Sequence, residues 1–354
     1  MLEIQKFLKE KSIDDLTTEL AIKHKRHSKY KNLVSFIYSQ IDSPKAHPIV
    51  VEARGIILDE DNNWEVVAYP FKRYFNYGES CCSEIDWTTA TTYTKLDGSL
   101  LYFFYYNNEW LVATKGSPDA SGGVSDFGFT FSELAWDVFN KEGYSTDNFY
   151  KTHTYCFELT TPYNKVVVPH NECKLTLLAV RDNITLKEFS LSIFNHNFKL
   201  VQSFPLNSWQ SILATLKTLE GQHNEGFVVC DGNFNRVKIK HPTYVALSHL
   251  KEGLTKRRLL EIIKNNEGDE FITYFPELRD LYNELKEKYT NLVNLIEASW
   301  NQYKHIENQK DFALSVKDLQ YKGILFNLKK GRVTSAKEGL SELLIKNLEG
   351  MIEL

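Results

Sequence analysis

Apolar and polar positions change period several times along this chain. Residues 1–29 carry few clustered apolar side chains and read as helical and polar. From Leu33 to Tyr38, from Ile49 to Leu58 and from Trp64 to Tyr69 the runs become rich in β-branched and aromatic residues, and Asp61-Asn62-Asn63 marks a hairpin turn. The strand series continues over Tyr93–Tyr106, where a strand gives way to Asp97-Gly98-Ser99, turns at Asn107-Asn108 and resumes at Trp110–Thr114. Phe131, Leu134, Ala135, Val138 and Phe139 follow helical spacing instead. Strand-like runs return at Tyr155–Leu159, Lys165–Val168, Leu175–Val180, Phe227–Val229 and Arg236–Ile239. Strands broken by helices at irregular intervals predict an α+β protein with antiparallel sheets rather than repeated βαβ units.

Past about residue 250 the period becomes helical. Leu278, Leu281, Tyr282, Leu285, Tyr289, Leu292, Ile296 and Tyr303 form one stripe after Pro276, and Lys337–Leu348 offers a second helix after Ser335, with Gly350 beyond its end. The pattern predicts two domains, 1–250 and a mostly helical 251–354.

Composition narrows the class. The chain has 354 residues, enough for one large and one smaller domain, and 22 Phe, 19 Tyr and 6 Trp supply core and stacking surface. A formal charge of −4 excludes a protein that coats nucleic acid by global basicity, so any such contact must be local. Lys23-His24-Lys25-Arg26-His27, extended by Lys29 and Lys31, and Lys256-Arg257-Arg258 are the candidate patches. The five cysteines show no C-x-x-C spacing, which argues against structural zinc or a disulfide framework. No signal-peptide core and no apolar run of about 18 residues is present, so an intracellular protein without membrane attachment is expected.

Lys95-Leu96-Asp97-Gly98-Ser99 carries the chemistry, together with Glu225-Gly226 and Lys238-Ile239-Lys240. Alone, such a segment is an ordinary exposed turn; with its companions it describes a lysine that attacks phosphorus. A lysine near pKa ~10.4 is almost wholly charged at neutral pH, so Lys95 needs burial or nearby cations to free its amine. Lys238 and Lys240, two apart on a strand, would share a face and act there, while Asp97 opposes them. Glu158 and Glu225 sit in apolar strand-like segments and require partners, either a cation of the site or a buried arginine.

The order KLDGS (95–99), FELTTPYNKVV (157–167), EGFVV (225–229) and KIK (238–240) resembles the nucleotidyltransferase motifs of polynucleotide ligases and capping enzymes. ARGIIL (53–58), RYFNYGE (73–79) and TKGS (114–117), with Tyr244 after the last lysine, narrow the resemblance to the phage RNA ligase 1 family, ATP-dependent ligases that reseal broken tRNA anticodon loops. It covers roughly residues 30–250.

The resemblance implies an antiparallel-sheet adenylation domain with ATP as substrate and magnesium as cofactor. Lys95 would be the nucleophile, and Lys238 and Lys240 would clamp phosphate oxygens. Asp97, Glu158 and Glu225 would serve catalysis and metal, with Glu158 also near the ribose and Asp269 or Glu267 adding an acidic metal contact from the helical part. Tyr38, Arg54, Lys72, Arg73, Phe75, Lys115 and Tyr244 would contact nucleotide, Arg73 replacing the family's usual lysine. His24, His27, His170 and His223 receive no catalytic role. The helical domain would select RNA, a tRNA nicked in its anticodon loop, by a monomer acting in the cytoplasm, a phage's host included. DNA ligases and GTP-using capping enzymes share these motifs but normally add an oligonucleotide-binding barrel where this chain reads as helix; a non-catalytic RNA-end-binding protein is the remaining alternative.

Overall fold

The computed structural model describes residues 1–124, 127–163, 167–221, 223–245 and 255–352, apart from the side chains of Glu270, Thr273, Tyr274 and Glu277. Contacts divide the chain into two compact units, one of Met1–Ser39 with Ser43–Ser248 and one of Gln40–Asp42 with His249–Leu354.

The first unit is α+β with three sheets. The first sheet has order β1 (Ile22–Arg26), β2 (Leu33–Tyr38), β3 (Arg54–Asp59), β4 (Glu65–Ala68), and the second has order β10 (Lys174–Asp182), β9 (His153–Thr160), β7 (Ser99–Tyr106), β8 (Glu109–Thr114). The third runs β11 (Ser203–Phe204), β6 (Thr91–Lys95), β12 (Gly226–Cys230), β13 (Arg236–Lys240), β5 (Phe75–Asn76). All pairings are antiparallel except β13 with β5, which is parallel.

Strand β7 shows why the second sheet is central. Its Tyr102 and Phe104 pack with Leu33, Ile57 and Ala68 of the first sheet, while Leu101 and Phe103 pack with helix α4 (Phe131–Lys141). Period-two alternation therefore buries both faces, and the strand reads as continuously apolar. Helices α1 (Glu3–Glu10) and α2 (Ile13–Leu20) cover the outer face of the first sheet through Ile4, Leu8, Leu16 and Leu20. Both hairpin turns carry paired positive φ, Asn63 with Trp64 and Asn107 with Asn108, the backbone that a tight hairpin requires.

Several sequence expectations change. The basic run 23–26 is not helical but lies in edge strand β1 with exposed side chains. Within Ile49–Leu58, Pro48–Glu52 forms a short helix because Pro48 follows an N-capping His47. Tyr93–Tyr106 is two strands in different sheets, parted at residues 96–98. Of Lys165–Val168, residues 165 and 166 lie outside the described residues, and 167 and 168 are bends rather than strand.

Every regular element among the described residues of the second unit is a helix. Helix Arg279–Tyr303 buries Tyr282, Leu285, Tyr289, Leu292 and Ile296, the expected stripe, against Leu259, Phe312, Ile324 and Leu340. Lys337–Leu348 is two helices, Ala336–Ser341 and Ile345–Met351, so Gly350 falls inside the second. Arg257 and Arg258 face Glu349 and Glu261 in this unit.

Candidate active site

The third sheet sets one row of side chains across three strands. Lys95 closes β6, pairs with Gly226 of β12, and Gly226 pairs with Lys240 of β13; Tyr93, Val228 and Lys238 form the next row. Residues directly opposite or two apart share a face, so Lys95, Lys238 and Lys240 lie on one side while Phe227, Val229, Val237 and Ile239 pack on the other. Gly226 has φ +134°, and a Cβ there would sit 2.2 Å from the Ile239 carbonyl oxygen. A larger residue would push the lysine row apart.

Glu225 precedes that glycine, and its carboxylate meets the Lys95 ammonium at 2.6 Å. Glu158 enters from the second sheet, where it pairs with Leu100 and Thr176. Burial pushes the Glu158 carboxyl up to about 7; Lys95 and Arg54 oppose that shift, and Glu225 and Asp97 add to it. Glu225 is likewise raised by burial despite Lys95 and Lys240. Burial alone would lower the Lys95 amine, but Glu225, Glu158 and Tyr74 outweigh it, and the net shift is upward. This corrects the expectation of a depressed Lys95: the chain's own groups hold the ammonium in place, and Lys238 and Lys240 are not among its dominant influences.

The Asp97 carboxylate is held within the chain by three hydrogen bonds. One carboxylate oxygen accepts the Val167 and Val168 backbone N–H groups at 2.9 and 2.7 Å, and the other accepts the Tyr244 hydroxyl at 3.1 Å. The Asp97 carbonyl lies 2.7 Å from His170 Nε2. A Cβ on Gly98 would stand 2.4 Å from the Leu159 carbonyl oxygen, so the Lys95 segment lies flush against β9. Asp97 and buried Tyr244 therefore anchor the turn that follows Lys95.

A second group holds cations against rings. The Arg73 guanidinium lies 4.0 Å from the Tyr38 ring centre and 5.1 Å from that of Phe75; Lys115 Nζ lies 5.1 Å from the Tyr38 ring. Arg54 lies 5.2 Å from the Tyr74 ring. Tyr102 locks the two contributing loops, its hydroxyl donating to the Gly55 carbonyl at 2.5 Å and lying 3.1 Å from that of Thr114. Burial would raise the Tyr38 phenol, yet Lys115, Arg54 and Arg73 together lower it. Nη1 of Arg54 and Nη1 of Arg73 are buried without a hydrogen-bond partner. An orphaned buried guanidinium nitrogen is costly and marks a place for an anion. Lys72 is not brought into this group: it is exposed and acts electrostatically on Glu52.

Lys95 and Glu158 open into a cavity of about 290 Å³ lined by Phe71, Tyr74, Tyr93, Phe189, Val228 and Phe234. Aromatic and aliphatic walls ending on a few polar groups suit a flat heterocycle with a charged tail. Arg236 also lines this space and grips buried Glu188 at 3.0 and 2.6 Å, while Arg181 of β10 takes the same carboxylate. That cluster joins the second and third sheets. Sequence reasoning missed it, although Arg236 is in step with Lys238 and Lys240; nothing local signals Glu188. Asp269 and Glu267 lie in the second unit, within and before helix Gly268–Tyr274. Among the described residues no group of three or more His, Cys, Asp or Glu side chains forms a metal cage. The raised Glu158 and Glu225 carboxylates are nevertheless hard oxygen donors with too little positive charge, a set that fits a hydrated divalent cation.

Residues 52–244 match a family model described as RNA ligase, more than half of the chain. The chain is 27% identical to an RNA ligase of Rhodothermus phage RM378 over 84% of its own length and 85% of that relative's. Among solved structures it is similar to an archaeal ATP-dependent RNA ligase, with 10% identity, a TM-score of 0.48 and coverage of 80% of this chain and 78% of that one.

Proposed function

The chain belongs to the RNA ligase family, and from that premise we propose that it is ATP-dependent and joins 5′-phosphate to 3′-hydroxyl RNA ends through a lysyl-AMP intermediate. The observation that carries this reading is Lys95 at the mouth of the cavity, with Lys238 and Lys240 on the same sheet face and the unpartnered nitrogens of Arg54 and Arg73 in the same unit.

In the first step the Lys95 Nζ lone pair attacks the α-phosphorus of ATP, a P–N bond forms, the α–β P–O bond breaks and pyrophosphate leaves. The ammonium must first lose its proton. Arg54, Arg73 and Lys115 bind the departing phosphates, and Lys238 and Lys240 offset charge that builds on the α-phosphate oxygens. AMP then passes to the oxygen of an RNA 5′-phosphate, freeing Lys95, and a 3′-hydroxyl displaces AMP to form the phosphodiester. Magnesium bound by Glu158 and Glu225 would neutralise those carboxylates and so favour the free amine. Asp97, Tyr244 and His170 hold the Lys95 turn in place.

The helical second unit would supply RNA selection, with a tRNA nicked in its anticodon loop as the substrate. After β13 the described residues contain no strand, which favours this reading over a DNA ligase or capping enzyme with an appended barrel. Incubation with labelled ATP and magnesium should yield a protein–AMP adduct that survives denaturation and alkali but is released by acid, as a P–N bond requires, and labelled GTP should not. No adduct in the wild type would refute the mechanism. Comparing ligation of a nicked tRNA with that of a plain single strand tests the second unit's role; equal efficiency would remove it.

A further inference from the structure

Three aromatic rings stand together on the surface of the first unit with no place in the adenylation chemistry. Phe127 is 54% exposed and Tyr163 37%, and it is their grouping rather than their exposure that stands out. Their ring centres lie 4.9 Å apart; Phe129 lies 6.1 Å from Phe127, nearly parallel at 24°, and 5.4 Å from Tyr163, edge-on at 74°. The Phe129 ring is rooted in the core packed around α4, so the cluster has a fixed base.

Its position matters more than its exposure. Tyr163 follows β9 by three residues, five after Glu158, and its N–H donates to Thr161 Oγ1 at 3.0 Å. Further along the same connection Val167 and Val168 are held by the Asp97 carboxylate, two residues from Lys95. Tyr163 is thus flanked in sequence by the strand that bears Glu158 and by the valines that bond Asp97. Phe127 and Phe129 sit in the loop after TKGS, closed by Val124 N–H to the Phe129 carbonyl at 2.9 Å and by Phe131 N–H to the Gly122 carbonyl at 2.9 Å.

We infer that Phe127, Phe129 and Tyr163 form a stacking platform for a nucleobase of the RNA end beside the break. The inference rests on the RNA-joining reading above. Unpaired RNA bases are recognised chiefly by stacking on aromatic side chains, which tolerate any base because each has a π-face. Rings rather than aliphatic groups, carried just past the strand that bears Glu158, match that occupant better than a protein partner.

The test measures the dissociation constant of the full chain for a fluorescent 5′-phosphorylated single-stranded RNA, by anisotropy, beside lysine adenylation by ATP alone. Phe127→Ala combined with Tyr163→Ala should weaken RNA binding by about 5- to 150-fold, the range of one lost stack. Phe127→Tyr with Tyr163→Phe should restore it. Against the same RNA with abasic nucleotides at its end, the alanine variant and the wild type should bind alike. Unchanged affinity for the normal RNA, or a loss that persists with the abasic RNA, would overturn the platform. So would a concentration-dependent dimer that the alanine variant abolishes without change in RNA affinity, which would make a second copy the occupant. A wild type that binds RNA through these rings yet forms no AMP adduct would sink the ligase mechanism alone.

Discussion

The two charged groups of the first unit treat their cations in opposite ways. Around Lys95 the ammonium is met by the Glu225 carboxylate at 2.6 Å, with Glu158 and Asp97 also acting on the site. Around Tyr38 the cations of Arg54, Arg73 and Lys115 meet rings, and two guanidinium nitrogens have no hydrogen-bond partner. In the first group the ammonium is outnumbered by carboxylates; in the second the cations are in excess and suited to an anion. Under the proposed mechanism both are used, because fixed cations stabilise developing charge only when they are not already neutralised. The resting acid–lysine pair keeps a buried amine from standing unpaired until substrate arrives.

Removing Lys95 strikes the acid half at its centre. Lys95→Ala should abolish the AMP adduct completely, read by autoradiography after detergent denaturation at neutral pH; a surviving adduct would move the nucleophile elsewhere. Glu188 tests whether a carboxylate satisfied by two arginines serves the scaffold rather than chemistry. Glu188→Gln should lower unfolding free energy by about 3–5 kcal/mol, the usual cost of breaking a buried pair, in denaturant titration. A loss below about 1 kcal/mol would show that the two sheets hold without it.

Breaking the cation half should act on substrate. Arg73→Ala should reduce kcat/KM for ATP in adduct formation by about 10- to 150-fold, from the loss of charge-assisted bonds. Lysine at that position should restore part of it, since it keeps charge but not the planar fork. Wild-type kinetics would mean that the orphaned nitrogens face no phosphate.

The smallest effect concerns a group outside both halves. His27 Nδ1 accepts N–H from Lys29 at 3.1 Å and from Tyr30 at 3.2 Å, and burial lowers its pKa below the usual 6.5, with Asp119 and Glu109 partly opposing. The unfolded chain binds that proton first, so stability should fall as pH drops below about 6.5 toward the lowered value. Melting temperatures from pH 7 to 5 should decline less steeply in His27→Asn than in the wild type.

Much of the strand pattern could be read locally, because β2, β7, β8, β9, β12 and β13 announce themselves by apolar runs bounded by Asn or Gly turns. Lys238 and Lys240 share a face because alternation along one strand requires it. A break in Tyr93–Tyr106 was legible in the turn residues Asp97-Gly98-Ser99, but the assignment of its two halves to different sheets was not, since that is set by pairing with distant strands. The hydrogen bonds of Asp97 were not legible, because its partners, Val167, Val168 and Tyr244, are 70 to 147 residues away.

The sequence by itself determined the kinds of groups available, the α+β class and the helical character of the second unit, since these follow from residue chemistry and local period. Tertiary structure alone decided which charges meet: that Lys95 rests against Glu225, that Asp97 is consumed by backbone N–H groups, that Lys72 points away while Arg73 turns in, and that Glu188 joins two sheets. Electrostatic interaction depends on distance and burial, and both are set by pairings between segments that no local pattern records.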